Sequence, residues 1–205
     1  MIIVKKTLLP LLLAATVLMT SCSKLITLKY TDGRYVDTVN HIKYLNASVS
    51  YEPVSVGTEY ARFDKTTLYT LPGTEPTQWL AEKFEGIGSV FYSEDTILPG
   101  PADFEAVKIL IYLSGYNNIP VSSISDPEAI EKFCDILENG EPVTAEDMDS
   151  SYSLKIVSDK YPFIYYNLIY IKSTDGGRYV YDRGTKRTVE IGPLIDSFFT
   201  GETTP

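Results

Sequence analysis

The stretch that most constrains this chain is Phe163 to Ile171, a nearly continuous apolar and aromatic run. Such a run, too rich in apolar residues to leave one face in water, predicts a central strand covered on both faces. Its flanks predict a meander. Ser153 to Val157 leads into it through Asp159-Lys160-Tyr161-Pro162, and Asp175-Gly176-Gly177 turns the chain into Arg178 to Asp182. Arg183-Gly184-Thr185-Lys186 then turns it again into Arg187 to Ile191. Gly and Asp at these points supply the backbone conformations that tight hairpins need.

Upstream the signals alternate. Leu25 to Tyr30 is strand-prone, Thr31-Asp32-Gly33-Arg34 is a turn, and Tyr35 to Tyr44 returns as a hairpin partner. Ala61 to Phe63 and Thr67 to Leu71 read as short strands. A helix is expected next, capped by Thr74 or Glu75, with Pro76 in its first turn, Trp79, Leu80 and Phe84 on its apolar side and Gly86 at its stop. Gly88 to Tyr92 returns as a strand, and Val107, Ile109, Ile111 and Leu113 alternate along another. A further short strand is expected at Val121 to Ser125. The best-signalled helix runs from Pro127 to Asn139, with Ser125 or Asp126 as cap, Glu128 and Glu131 favouring its dipole and Gly140 ending it. Pro193 to Phe199 is expected as a last short helix. The class is α+β, mainly antiparallel sheet with two or three short helices. The organisation is one domain over 26–200 with a tail over 201–205; the alternative is two small subdomains split near Pro99-Gly100-Pro101, which breaks both helix and sheet. Thr31 to Asp37 and Thr174 to Asp182 are locally alike, as shared hairpin chemistry explains.

The N-terminus carries an address. Lys5 and Lys6 precede an apolar run, Leu8 to Met19, interrupted by Pro10, and Thr20-Ser21 leads into Cys22. The run is shorter than the roughly 20 apolar residues a spanning helix needs, so residues 1–21 read as a cleavable signal. Leu18-Met19-Thr20-Ser21-Cys22 resembles the lipobox of bacterial lipoproteins, with Met19 where leucine is commonest. The resemblance implies a diacylglyceryl group on Cys22, residues 22–25 as a short tether, and a cell-membrane location on the extracytoplasmic side. The remaining chain is similar only in style to uncharacterised lipoproteins of Gram-positive bacteria.

Charge narrows the partners. Of 18 Lys+Arg, two belong to the signal, so 16 face 27 Asp+Glu and the mature chain carries −11. Such a surface repels nucleic acid. With Cys22 lipidated, Cys134 is the remaining thiol and reads as a buried residue of the 127–139 helix. His41, the single histidine, cannot build a multi-histidine metal site. Glu146-Asp147-Met148-Asp149 lacks the spacing of a calcium loop and reads as a solvated helix turn capped by Thr144. No phosphate loop, nucleophile elbow or HExxH motif occurs. Trp79 reads as a core anchor.

No catalytic, cofactor or metal residue is therefore expected. The sequence predicts a binding module, with a protein, peptide or glycan as ligand. Among 16 tyrosines, Tyr165 and Tyr179 are the ring faces an uncovered side of the meander would expose. The rival readings are an envelope hydrolase working through a carboxylate pair and a solute-receiving lipoprotein serving a transporter.

Overall fold

Short strands joined by turns, among them Asp32-Gly33, Asp64-Lys65 and Pro72-Gly73, fill the first half of the chain. The computed structural model describes residues 25–83, 88–113, 120–145 and 148–199. Its first nine strands are β1 (Ile26–Thr27), β2 (Lys29–Thr31), β3 (Arg34–Asp37), β4 (Ile42–Asn46), β5 (Tyr51–Pro53), β6 (Glu59–Phe63), β7 (Thr66–Thr70), β8 (Trp79–Glu82) and β9 (Val90–Ser93). Asp32 and Gly33 both take positive φ in the β2–β3 turn, which a two-residue hairpin of the proper twist requires. Asp37, wholly buried, closes the β3–β4 turn by accepting from the amides of Val39 and Asn40.

Eight of these strands form one sheet in the order β1-β6-β7-β8-β9-β4-β3-β2. Its two end strands, β1 and β2, are consecutive in the chain with only Leu28 between them, so the sheet closes on itself as a small barrel. Closure removes the free edges that a short sheet would otherwise leave open. Leu28, Tyr44, Ala61, Leu68, Leu80 and Phe91 fill the barrel.

The second sheet follows Pro99-Gly100-Pro101. It contains β10 (Ala106–Leu113), β11 (Ser122–Ile124), β12 (Met148–Ser158), β13 (Ile164–Ser173), β14 (Arg178–Asp182) and β15 (Arg187–Glu190), in the order β11-β10-β12-β13-β14-β15. All of its pairs are antiparallel among the described residues. β13 is the central strand, and β5 leaves the barrel to pair with its first residues, Ile164 to Tyr166. The two sheets share a core, in which Trp79, Ala81 and Val90 from the barrel wall meet Ile164, Tyr166 and Leu168.

Helix α1 (Pro127–Asn139) covers one face of this sheet. Asp126 caps it by accepting from the amides of Glu128 and Ala129, and Pro127 occupies the first turn, where its missing N–H costs nothing. Ile130, Phe133 and Leu137 face inward, each worth about 1.5–3 kcal/mol of burial. A 3-10 segment, Gly192–Phe198, closes the chain's end over the same core through Ile195, and a single 3-10 turn spans Ala102–Phe104.

Two expectations are corrected. The helix expected from Thr74 is a turn followed by strand β8; Phe84 and Gly86 lie outside the described residues. Trp79, Leu80 and Ala81 are consecutive and all buried, because Leu80 enters the barrel while Trp79 and Ala81 enter the shared core. The helix turn expected around Glu146 gives way to β12, which begins at Met148; Glu146 and Asp147 lie outside the described residues. The lipobox and Cys22 lie outside them too.

Candidate functional site

Strand register assigns the faces of the second sheet. Alternate residues point to opposite sides, so Tyr166 and Leu168 go with Ile156 and Leu154 toward α1. Tyr165, Asn167, Ile169 and Ile171 point away from it and are half-buried, whereas Ile164, Tyr166, Leu168 and Tyr170 are fully buried. One face is therefore core and the other remains open.

A charged pair sits in the middle of the open face. Lys155 lies directly across from Asn167, and Glu52 of β5 lies across from Tyr165. Lys155 Nζ donates to Glu52 Oε1 at 2.7 Å, with the lysine side chain only 4% exposed and the glutamate 13%. Charges so far out of water are tolerated only when paired. The ammonium also stands 4.6 Å from the centre of the Tyr112 ring and 5.6 Å from that of Tyr165. Burial, followed by Tyr165 and Glu52, pushes the Tyr112 phenol above its ordinary range. Burial and then Glu52 do the same to Tyr165.

Beside the pair lies a cavity of about 110 Å³ bordered by Ser48, Glu52, Ser153, Asn167 and Arg183. Ser48 and Glu52 come from the segment that follows β4, so the site joins distant parts of the chain. The Asn167 amide hydrogen is used by Ser50 O at 2.8 Å. The side-chain Oδ1 is buried with no hydrogen-bond partner among the described residues. An acceptor in that state costs about 1–3 kcal/mol until something donates to it.

The two tyrosines singled out from the sequence fare differently. Tyr165 belongs to this cluster. Tyr179 points to the same side, across from Ile171, yet it is only 8% exposed. Its ring lies against Gly177, where an added Cβ would fall 2.6 Å from a ring carbon, so it is packed rather than presented. Six residues of strand, about 20 Å, separate Tyr165 from Ile171, and the two tyrosines form no common surface. Lys155, Glu52 and Asn167 were missed. A lysine set between Leu154 and Ile156 was the one available signal for Lys155. Glu52, 103 residues away, gave none.

A second cavity, about 260 Å³, lies under Gly100 and Pro101, between the end of α1 and strands β14 and β15. Asp103, Glu138 and Asp182 line it, carboxylates of the kind a carboxylate-pair hydrolase would use. Asp182 is occupied, however, accepting from Tyr166 Oη at 2.7 Å and from the Gly184 amide at 2.8 Å. Asp103 accepts from the Gly100 amide. The two amide contacts hold turns, and the phenol ties Asp182 to the core. Trp79 is a core residue, with ring contacts to Tyr51, Tyr92 and Phe163. Cys134 is half-buried, and burial pushes its thiol up. His41 sits in the exposed β3–β4 turn at positive φ.

No helix among the described residues is long and apolar enough to cross a membrane. No protein-family model matches the chain, and comparison with curated proteins and with solved structures finds no match.

Proposed function

We propose that the chain is a membrane-anchored extracytoplasmic lipoprotein that acts as a binding module through the open face of its second sheet. The observation that carries the binding role is the buried Lys155–Glu52 pair beside the unpartnered Asn167 Oδ1, on a face that α1 leaves uncovered. Apolar residues would stabilise that face at least as well, so a costly polar cluster there favours a ligand. The ligand is a protein, peptide or glycan, and the tyrosine hydroxyls and amide suit hydrogen-bonded recognition better than chemistry.

The anchor rests on Thr20-Ser21-Cys22 and on the position of β1. That strand starts at Ile26, four residues after Cys22, so an extended tether holds the barrel within about 14 Å of the modified sulfur. Two or three acyl chains on Cys22 hold a protein durably where one does so marginally. We read the fold as α+β rather than all-β, since α1 supplies Ile130, Phe133 and Leu137 to the main core.

Membrane fractionation and intact mass of the native protein beside a Cys22→Ala variant test the anchor. The expected outcome is a membrane-bound wild type bearing a lipidated N-terminal cysteine and a variant released from the membrane. Two soluble proteins starting at some other residue would overturn it.

A further inference from the structure

We infer that the cavity beside Asn167 takes the hydroxyl-bearing edge of a saccharide, whose ring reaches past Glu52 toward Tyr165, its cross-strand neighbour. This rests on the reading of the open face as a binding surface and names the ligand class for it.

Size comes first. A space of about 110 Å³ has room for roughly three or four waters, enough for the hydroxyls of one ring edge. The lining mixes donors and acceptors. Asn167 Oδ1 needs a donor, Glu52 has one carboxylate oxygen beyond the atom bound to Lys155, and Ser48, Ser153 and Arg183 can donate. A hydroxyl both donates and accepts, and a sugar presents several at fixed spacing. Lys155 and Glu52 cancel within 2.7 Å, and Arg183 adds guanidinium donors to the lining that suit hydroxyl oxygens.

The backbone argues against an extended peptide. Strand addition needs an unpaired edge, whereas β13 is flanked by β12 on one side and by β5 and β14 on the other. Recognition here has to pass through side chains. A half-buried tyrosine ring next to hydrogen-bonding groups matches a pyranose, with its apolar C–H face and polar rim.

The test is saturation-transfer NMR on the detergent-solubilised full chain with neutral oligomers of glucose, galactose, mannose and N-acetylglucosamine, and N-acetylated tripeptides for comparison. At least one saccharide is expected to bind. Asn167→Leu and Tyr165→Ala should each weaken it about tenfold, the effect of one lost good hydrogen bond or ring contact. Asn167→Leu should also raise the melting temperature of the ligand-free protein, so that lost binding is not lost folding. Saccharide binding unchanged in both variants overturns the assignment. Tripeptide binding sensitive to both variants overturns the saccharide class while keeping the binding face; no binding by any probe overturns both.

Discussion

The barrel and the open sheet are built from the same material, mostly antiparallel strands rich in tyrosine, and differ in what they leave unused. The barrel closes through β1 and β2, which follow one another across Leu28, and its inner face is filled by Leu28, Leu68, Leu80 and Phe91. The second sheet covers one face with α1 and leaves the other to Tyr165, Lys155 and Asn167. Closure uses up a sheet's recognition surface, and an open face keeps it. Charge is shared unequally too. Residues 22–98, which include every barrel strand, hold seven Lys+Arg against ten Asp+Glu, and residues 99–205 hold nine against seventeen. On the anchored reading, the less acidic part follows the anchor directly and the more acidic part is held away from an anionic surface.

The largest expected effect separates the two regions by pH. Burial raises the phenols of Tyr44 in the barrel and of Tyr51 and Tyr166 in the shared core. A raised acid contributes stability that is complete below its unfolded pKa, about 10 for tyrosine, and that is lost as pH rises toward its folded value. Three such groups give a loss of about 4 kcal/mol per pH unit above that point. Tyr44→Phe should lower the slope by about 1.4 kcal/mol per pH unit, and Tyr51→Phe with Tyr166→Phe by about twice that, as read by alkaline unfolding followed through tyrosinate absorbance. Equal slopes in all variants would show that the phenols ionise without unfolding.

Cavity mutants come next. Phe133→Ala should cost about 3–5 kcal/mol and Leu68→Ala about 2–5 kcal/mol in urea unfolding. Because Trp79, Ala81 and Val90 join the barrel wall to the main core, both variants should still unfold in one transition. A separate early transition in Leu68→Ala alone would make the barrel an independent unit.

What the sequence revealed follows the range of each interaction. Asp126, Pro127 and Gly140 mark α1 locally, and the run at Phe163 marks β13, so both were legible. The hairpin turns at Asp32-Gly33 and Gly176 were legible for the same reason. Strand β8 was not. Glu75 and Pro76 imitate a helix start, and a strand buried on both faces shows consecutive apolar residues with no period of two. Barrel closure depends on Ile26 meeting Ala61 in a parallel pair, a contact that leaves no local trace. The binding cluster was legible only in part. Tyr165 was legible, while Glu52 reaches Lys155 by way of β5, a three-residue strand from the first half of the chain that joins the second sheet.

The central claim is that the open-face cluster is kept for binding and costs the fold stability. The direct measurement is urea unfolding of Glu52→Gln beside the triple variant Glu52→Leu, Lys155→Met, Asn167→Leu. The single change strands a buried ammonium and should cost about 3–5 kcal/mol, while the triple should be as stable as the wild type or more so. A triple variant destabilised beyond the single one would contradict the account and make the cluster part of the fold's own support.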